Sequence, residues 1–599
     1  MSEKEDISWD LTGIFPSTED PEINETMENL AKRADDFIIK YKGKISIQGF
    51  SAEDMLNLIS EYEDFLADLF EVNQFANLSF AANMTIKENQ VLNNKSRDFS
   101  TTIQKKLTFI DLEIGQLLCD KEDIISDPKL GDYKHYLEKL SRRHTYKLSE
   151  VEEQLALEKD RYGVQGWHEL QSKWLNTRMF EVEVEGELKK LPYGKANGLL
   201  NHPDRATRRS ANKSIYGLLG KDEEIFSAAI RNICGDWVTI AKRRKYPSQM
   251  EQSLSANDVD QETIDNLMKA IEDHVVLYQR YLRLKAKIMD LPKLSCEDVV
   301  APLPDAPPTT YTWDKAQELV MKAYENFDES FLEVAKDMFE KNHIDASPRF
   351  GKRNGAFCST WYKGKTSFIL QTFTGTMSNI YTLAHELGHA VHGYKVTRNQ
   401  TIVNARYPMV AAETASIFGE LLLTRLLLSE AETKEEKKII LSRVLDGAGM
   451  ALFQVSSRVW FEQSMYDAIE KGQFLDGKTI SKLWMAGRDK VYGDAVEWFE
   501  EMDWEWTMKG HYYMPNFRFY NYPYVFGQLF TYALYQVYQK EGEAFIPKFN
   551  AMLDAGGSKS PKEMAEIVGL DITKPEFWSL GMKQYEYFVN ELEKLEYSL

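Results

Sequence analysis

The chain has 599 residues, a formal net charge of −20, 43% hydrophobic residues and 12% aromatic residues. This composition is typical of a well-packed globular protein and excludes a chain that is disordered throughout. The acidic balance argues against a nucleic-acid-binding protein, because binding to phosphates needs a basic face.

Long amphipathic helices are predicted for most of the chain. Ser51 and Asp54 have the spacing of a helix capping box, and apolar residues follow at steps of three to four as far as Leu69. Thr433 and Glu436 begin a second helix of the same kind, which two glycines weaken in its middle. The predicted fold class is therefore mainly α.

Two segments interrupt this helical pattern. Ala301–Pro308 has four prolines in seven positions, which no helix tolerates, and it is expected to be either an interdomain linker or a surface crossing. Asp554–Pro561 is a Gly- and Ser-rich loop between two late helices. We expect an N-terminal helical lobe over residues 1–190 and a catalytic helical region over residues 191–599.

A β-hairpin is predicted between these breaks. Ala356–Tyr362 and Thr366–Phe373 are rich in β-branched and aromatic residues, and a short turn around Gly364 separates them. The hairpin leads through Thr374–Thr376 into the next helix. Its free edge could bind an extended peptide, or the hairpin could simply pack beneath that helix.

That next helix carries His385, Glu386 and His389 in the pattern His-Glu-x-x-His. The two histidines lie one turn apart on the same helix face, so both rings can reach one cation. Glu386 lies about 100° around the helix, beside the cation, where a carboxylate can accept a proton from the attacking water. This pattern predicts a zinc-peptidase site.

A catalytic zinc needs a third protein ligand, and the apolar stretch Met409–Glu420 supplies two candidates. Glu413 and Glu420 are seven residues apart and therefore share a helix face. One can bind the metal while the other accepts a hydrogen bond from a ligand histidine. Spacing favours Glu413 as the ligand and leaves Glu420 as the alternative. His392 could support the site, contact substrate or be a core residue.

With these residues assembled, the chain resembles the oligoendopeptidase F group of thimet-oligopeptidase-like zinc metallopeptidases. The resemblance covers almost the whole chain, and the zinc motif with its trailing glutamate is its most specific part. The matching segments are Trp9–Pro16, Gly355–Cys358, Phe373–Thr376, His385–His392, Ala412–Glu420 and Pro575–Trp578.

The resemblance implies one Zn²⁺ per chain, bound by His385, His389 and Glu413, with Glu386 as the general base. It also implies a two-lobed helical ellipsoid around a deep substrate channel, with a small β-sheet next to the zinc helix. Such a channel admits short unfolded peptides and excludes folded proteins.

Family members also carry a late cluster of His and Tyr residues that contacts substrate. The corresponding segment here is His511–Tyr524, in which His511, Tyr520 and Tyr522 are the expected catalytic residues and Tyr524 an expected substrate contact. The spacing does not superpose cleanly on that of thimet oligopeptidase, so the role of each tyrosine stays open.

The predicted function is hydrolysis of internal amide bonds in short oligopeptides. Zinc and the late donors would stabilise the oxyanion, and Glu386 would move the proton. The peptide backbone is expected to pair with the hairpin edge, whose substrate-binding residues are Ala356, Phe357, Cys358 and Ser359.

Two other functions fit the same sequence. A metallocarboxypeptidase would need a cationic clamp for the free C-terminus, and Arg406 and Arg518 are conceivable clamps. A non-catalytic peptide-binding protein would keep the helix without the activity, although the intact Glu386 argues against it.

The four cysteines indicate a reducing compartment. Cys119, Cys234, Cys296 and Cys358 are widely scattered without a Cys-x-x-Cys pair, which predicts buried free thiols. The start of the sequence is acidic without an apolar signal core, and no stretch approaches ~18 uninterrupted apolar residues. We expect a cytoplasmic monomer or small homo-oligomer that binds neither nucleic acid nor membranes.

Overall fold

The computed structural model describes residues 7–45, 49–303, 310–515 and 517–597. Helices account for 72% of the structure and the sheets are small, so the mainly α fold class is confirmed. Residues 304–308 of the predicted proline-rich break lie outside the described residues, as do the first six residues of the chain.

The helices within the described residues are these, in chain order. They are α1 Pro21–Tyr41, α2 Ala52–Ala82, α3 Lys87–Asp120, α4 Lys134–His144, α5 Glu150–Asp160, α6 Val164–Thr177, α7 Tyr193–Gly198, α8 Arg205–Lys221, α9 Glu223–Arg243, α10 Glu251–Asn257, α11 Gln261–Ile288, α12 Trp313–Glu325, α13 Glu329–Glu340, α14 Met377–Asn399, α15 Met409–Ala412, α16 Thr414–Glu430, α17 Lys434–Gly449, α18 Val455–Glu470, α19 Gly477–Tyr492, α20 Tyr522–Glu541, α21 Ile546–Asp554, α22 Pro561–Ile567 and α23 Pro575–Tyr597.

Three small sheets accompany these helices within the described residues. The strands are β1 Met179–Val184, β2 Glu187–Pro192, β3 Leu294–Ser295, β4 Ile344–Asp345, β5 Phe357–Trp361, β6 Thr366–Leu370 and β7 Val496–Glu497. Strands β1 and β2 form an antiparallel hairpin, β3 pairs with β7 in parallel, and the third sheet has the order β4-β6-β5. The predicted hairpin is confirmed as β5 and β6, which pair antiparallel.

The chain forms two compact units, each built from three segments. The first unit comprises Met1–Thr145, Pro308–Glu430 and Val537–Asp571. The second comprises Tyr146–Pro307, Ala431–Gln536 and Ile572–Leu599. Residue 190 lies inside a segment of the second unit, so these units divide the chain differently from the two consecutive regions expected from sequence. The boundary near residue 190 and the substrate channel stay predictions.

Local signals at the helix starts are confirmed. The Ser51 hydroxyl accepts a hydrogen bond from the backbone N–H of Asp54, whose carboxylate accepts one from the Ser51 N–H. Thr433 and Glu436 form the same reciprocal pair at the start of α17. The loop predicted at residues 554–561 is also present between α21 and α22, with a 3-10 turn at Gly556–Ser558.

In the first unit, α1 to α4 share one hydrophobic core. Phe37, Phe65, Ile110 and Leu137, one residue from each helix, are all buried in it. The buried side chains recur at the three- and four-residue steps that the sequence pattern predicted.

Helices α14 and α16 of the first unit cross with little space between their backbones, and two glycines permit this. A Cβ at Gly388 of α14 would lie 2.4 Å from the Ala415 carbonyl oxygen, and one at Gly419 of α16 would lie 2.9 Å from that of Ala384. Both distances are shorter than carbon and oxygen atoms tolerate. This close crossing places residues at the start of α16 beside the His385 helix.

In the second unit, α17 and α18 are joined by one π-helical turn, Met450–Gln454. Gly449 stands just before this turn, where a Cβ would lie 2.6 Å from the Tyr278 ring. Tyr278 stacks on Phe453, with their ring centroids 5.1 Å apart. The glycine that weakens the helix pattern therefore makes room for a core aromatic ring.

The continuous helical stretch Lys434–Glu470 is long and apolar enough to cross a membrane by composition alone. However, 56% of its most apolar window is buried inside the protein. Core helices of soluble proteins meet the same criterion, so this stretch is weak evidence for a membrane span.

The cysteines only partly follow the prediction of buried free thiols. All four are free, but Cys119 is exposed and Cys358 is partly exposed, while Cys234 and Cys296 are buried. Cys119 lies near the end of α3 on its solvent side, a position that scattered spacing along the sequence cannot reveal.

Candidate metal centre and active site

His385, His389 and Glu413 converge in the first unit. The Nε2 atoms of the two histidines lie 3.2 Å apart, and Glu413 Oε2 lies 3.2 Å and 3.5 Å from them. Ligand atoms of a tetrahedral zinc ion with bonds of about 2.0–2.1 Å are about 3.3 Å from one another. The three donor atoms therefore have the separations that a tetrahedral zinc ion requires.

Glu413 occupies the junction between two helices rather than the middle of one. The stretch Met409–Glu420, expected to be one helix, is divided into α15 and α16, and Glu413 lies between them with φ −85° and ψ 4°. The Ser416 hydroxyl donates hydrogen bonds to Glu413 Oε2 at 2.8 Å and to its backbone carbonyl at 3.1 Å. Ser416 thus fixes the carboxylate toward the two imidazoles.

Glu420 contacts the other side of the His385 ring. Its Oε1 lies 2.6 Å from His385 Nδ1, and because a carboxylate only accepts, Nδ1 carries the proton. This leaves Nε2 of His385 to face Glu413 and His389. The geometry therefore matches the arrangement in which Glu413 is the ligand and Glu420 orients a ligand histidine.

The charges of the cluster follow from burial and from these contacts. Burial raises the pKa of Glu413, but the His385 hydrogen bond and both histidine charges outweigh it and lower that pKa to about 2. Burial lowers the pKa of His389 to about 4. Burial also opposes the charge on His385, yet hydrogen bonds to Glu413 and Glu420 raise its pKa well above the ordinary value. Glu413 and His389 are therefore in the forms that bind metal, a charged carboxylate and a neutral imidazole, whereas His385 would release a proton on binding.

Glu386 lies beside the cluster and is only 6% exposed. Burial, followed by the charges of Glu413 and Glu420, raises the pKa of its carboxyl to about 7, against the opposing effect of His385. Among the described residues it accepts no hydrogen bond. A carboxylate with raised proton affinity and free oxygens is suited to general-base chemistry.

A cavity of about 310 Å³ opens onto this cluster. One side of it is formed by the candidate metal ligands and the other by strand β5 with the preceding Ala356. The lining residues are Ala356, Phe357, Cys358, Thr360, His385, Glu386, His389, Tyr407 and Glu413.

Strand β5 is an edge strand of its sheet, and its residues alternate in direction. Cys358 stands opposite Ile369 of β6, whose N–H donates to the His343 carbonyl on the other side. Cys358 and Ile369 are therefore a non-hydrogen-bonded pair, so the backbone N–H and C=O of Cys358 point to the free edge.

Ser359 differs from its neighbours in the predicted substrate-binding segment. Its carbonyl and hydroxyl oxygens both accept hydrogen bonds from Gln74 Nε2 at 3.2 Å. Thr360, rather than Ser359, lines the cavity. Ser359 is therefore engaged by Gln74 in this structure, and its contact with substrate stays a prediction.

The late aromatic residues belong to the second unit. The rings of His511 and Tyr520 stack at a centroid distance of 5.5 Å, and Tyr524 packs edge-on against Tyr520 at 5.6 Å. These three partly exposed side chains form one aromatic group, and their contact with substrate stays a prediction.

Tyr522 does not belong to this aromatic group. It is fully buried, and its hydroxyl accepts hydrogen bonds from Ser253 Oγ at 3.2 Å and Asn257 Nδ2 at 3.1 Å. This packing does not favour a catalytic role for Tyr522, which stays a prediction. In a run of closely spaced tyrosines, the sequence does not show which rings face the core.

The two arginines considered as carboxypeptidase clamps have other contacts. The Arg406 guanidinium lies 4.4 Å from the centre of the Phe70 ring, and Arg406 does not line the cavity. Arg518 is only 6% exposed and donates a hydrogen bond to the Met514 carbonyl at 2.7 Å. Neither contact is that of a free cationic clamp.

Three residues around the site were not identified from sequence: Thr360, Tyr407 and Ser416. Thr360 could have been inferred from strand alternation after Cys358. Ser416 stands three residues after Glu413, a common distance for a hydroxyl that bonds a side chain within one helical turn. No sequence pattern singles out Tyr407. His392, which sequence reasoning considered near the ligands, is fully buried and stacks on that tyrosine.

The chain is similar to known peptidases. The sequence profile of peptidase family M3 matches residues 199–584, and that of Oligopeptidase F matches residues 120–175. Oligopeptidase PepF of Bacillus subtilis is 26% identical over 603 residues, which cover 99% of this chain and 88% of that protein.

Solved structures have the same fold. A putative peptidase from Chlamydophila abortus has a TM-score of 0.86 at 22% identity, covering 99% of both chains. Oligoendopeptidase-F from Enterococcus faecium has a TM-score of 0.70 at 24% identity, covering 96% of this chain and 99% of that one. The resemblance inferred from the motifs is confirmed. The chain belongs to peptidase family M3 and is a peptide-hydrolysing metallopeptidase.

Proposed function

We propose that this protein is a cytoplasmic, zinc-dependent endopeptidase that hydrolyses internal bonds of short unfolded oligopeptides. The observation that carries the proposal is the triangle of donor atoms from His385, His389 and Glu413, with sides of 3.2–3.5 Å. Two imidazoles and one carboxylate are a common ligand set of catalytic zinc, and they leave a fourth position open.

The chain's own residues supply the remaining chemistry. When bound, zinc would supply the Lewis acidity that makes water nucleophilic near neutral pH. Glu386 accepts the proton of the attacking water and passes it to the leaving amine. Glu420 holds the His385 ring in the tautomer that leaves Nε2 free for the metal.

The substrate backbone pairs with the free edge of β5. The N–H and C=O of Cys358 point to that edge, and a peptide that adds as a strand would satisfy both groups. His511 and Tyr520 are kept as proposed donors to the developing oxyanion, and Tyr524 as a proposed substrate contact. Recognition through the backbone fits an enzyme that accepts many sequences.

Glu386→Gln tests this function in an assay of a quenched fluorescent peptide. The variant keeps the size and hydrogen-bonding capacity of the side chain but cannot accept a proton, so kcat should fall about 10²–10⁴-fold. Glu325→Gln, at an exposed position of α12, is the matched control and should retain activity. Full activity of Glu386→Gln with zinc bound would remove Glu386 from the mechanism.

Changing the C-terminus of the substrate distinguishes endopeptidase activity from carboxypeptidase activity. The proposed enzyme should cleave a C-terminally amidated peptide and its free acid at similar rates, at the same internal bond. Cleavage of the free acid alone, one residue at a time, would favour a carboxypeptidase. Mass spectrometry of the products distinguishes the two.

A further inference from the structure

Tyr407 lies in the loop between α14 and α15 and lines the cavity together with Glu386 and Glu413. Its side chain is partly exposed, and its hydroxyl makes no hydrogen bond to any described residue. Burial raises the pKa of this phenol well above its ordinary value, so the hydroxyl keeps its proton and can donate it in a hydrogen bond. Tyr407 therefore offers an unused donor at the reaction site.

The ring of Tyr407 is held by His392. Their centroids are 3.8 Å apart and the planes differ by only 5°, which is a face-to-face stack. His392 is 0% exposed, and neither ring nitrogen has a hydrogen-bond partner among the described residues. Burial lowers its pKa to about 3, so the ring is neutral. Because its nitrogens make no hydrogen bond to any described residue, His392 contacts Tyr407 through the flat face of its ring.

The stack joins the metal helix to the cavity wall. His392 follows His389 by three residues on α14, so its ring position is set by the same helix that carries the metal-binding histidines. A ring fixed in this way keeps the phenol near the cluster without a direct bond to any ligand. This is the arrangement expected for a side chain that must meet a substrate at a fixed place.

We propose that the Tyr407 hydroxyl hydrogen-bonds the substrate's peptide group beside the metal cluster, and that His392 is the positioning residue that fixes the Tyr407 ring. The inference rests on the proposed peptidase function and adds a substrate-contacting donor beside the candidate metal ligands. The substrate class is the amide backbone of a peptide, since a phenol can donate to its carbonyl oxygen or accept from its N–H.

Tyr407→Phe tests the contact, because phenylalanine keeps the ring stack and removes only the hydroxyl. Loss of one such hydrogen bond should lower kcat/KM about tenfold, with zinc content and thermal midpoint unchanged. Tyr394→Phe, which removes a phenol hydroxyl from α14 outside the cavity, is the matched control. A fall of threefold or more in kcat/KM supports the contact, and a smaller change overturns it.

Tyr407→Phe is measured beside the wild-type enzyme, so that failure of the proposed function can be distinguished from failure of the inference about Tyr407. A zinc-loaded wild type that cleaves no peptide contradicts the proposed function. An active wild type matched by Tyr407→Phe contradicts only the inference about Tyr407. If Tyr407→Phe binds less zinc than wild type, peptide affinity is measured instead of activity. The comparison is between Glu386→Gln and the double variant Glu386→Gln/Tyr407→Phe. Equal affinities of these two variants for the peptide would overturn the contact.

Two substitutions at His392 test the positioning role. His392→Ala removes the flat surface and should lower kcat/KM at least threefold, whereas His392→Phe restores a ring and should return activity to within threefold of wild type. Unchanged activity in His392→Ala overturns the positioning role. Equal loss in both variants, with folding retained, also overturns it, since the nitrogens rather than the ring would then matter.

Discussion

His385 Nδ1 donates a hydrogen bond to Glu420 Oε1 across 2.6 Å, between two packed helices. The bond links α14 to α16 and fixes which nitrogen of the ring faces the other donor atoms. One carboxylate of α16 therefore orients the histidine, while Glu413, seven residues earlier, lies beside its other nitrogen.

Replacing Glu420 with glutamine should weaken metal binding without abolishing it. Glutamine can still accept a hydrogen bond, but it lacks the charge that raises the basicity of His385, so zinc affinity should fall about 10–100-fold. Competition with a fluorescent zinc chelator measures this. Glu430→Gln, at the far end of the same helix, is the control. Equal affinities in the two variants would show that Glu420 does not tune the site.

Gly388→Ala should disrupt the crossing of α14 and α16. The added Cβ would lie 2.4 Å from the Ala415 carbonyl oxygen and 2.6 Å from the Ser416 Cα, and both are backbone atoms that cannot move alone. Overpacking of this kind should lower the free energy of unfolding by about 3 kcal/mol.

Gly447→Ala is the contrasting control, because a Cβ there meets nothing within 4 Å. Alanine at a helical position should raise the free energy of unfolding by about 0.5–1 kcal/mol. Chemical denaturation of both variants measures the two changes. If Gly388→Ala were as stable as Gly447→Ala, the close crossing would not be present in solution.

Proline substitutions at two neighbouring positions of β5 should have different effects. One should weaken the contact with substrate, and the other should destabilise the fold. Cys358→Pro removes an N–H at the free edge, so the fold should persist while kcat/KM falls about tenfold. Ser359→Pro removes an N–H that points to β6 and should lower the thermal midpoint. Cys358→Ala keeps the backbone and should remain within threefold of wild type. Full activity of folded Cys358→Pro would contradict substrate pairing at this edge.

Glu462 gives folding stability a pH dependence. It is 2% exposed, and burial raises its pKa to about 7, although the Phe519 N–H and the charge of Arg518 oppose the shift. The folded chain thus binds this proton more tightly than the unfolded chain. Its stabilising contribution is complete below about pH 4.5 and is lost as the pH rises to about 7, a change of about 3 kcal/mol.

Glu462→Gln should remove this pH dependence, because glutamine does not ionise and can still accept the Phe519 N–H bond. The stability of the variant relative to wild type should rise by about 3 kcal/mol between pH 4.5 and pH 8. Urea denaturation across that range measures it, with the exposed Glu435→Gln as control. Parallel stability curves for wild type and Glu462→Gln would contradict a raised pKa at Glu462.

The parts of the fold that depend on local sequence could be predicted. The capping residues Ser51 and Thr433 and the His385 helix are fixed by spacings of three or four residues. The division into two compact units could not, because each unit joins three segments that are separated along the chain by segments of the other unit. Only the folded chain brings residues 537–571 into the unit that holds the metal cluster.

The candidate site shows the same contrast. The positions of His385, His389 and Glu413 follow from helix periodicity and from the cost of burying a carboxylate. The burial of Tyr522 could not be predicted, because which of several adjacent tyrosines faces the core depends on tertiary packing. Tyr407 was missed because its place in the cavity comes from a loop and from its stack on His392.

Metal content, measured with activity in the same samples, tests the central claim most directly. Wild type should hold about one zinc ion per chain, lose activity with a chelator and regain it with zinc, while Glu413→Gln and His389→Ala should bind little metal and be inactive. Full peptide hydrolysis by metal-free wild type, or wild-type zinc content in both variants, would contradict a catalytic ion at this cluster.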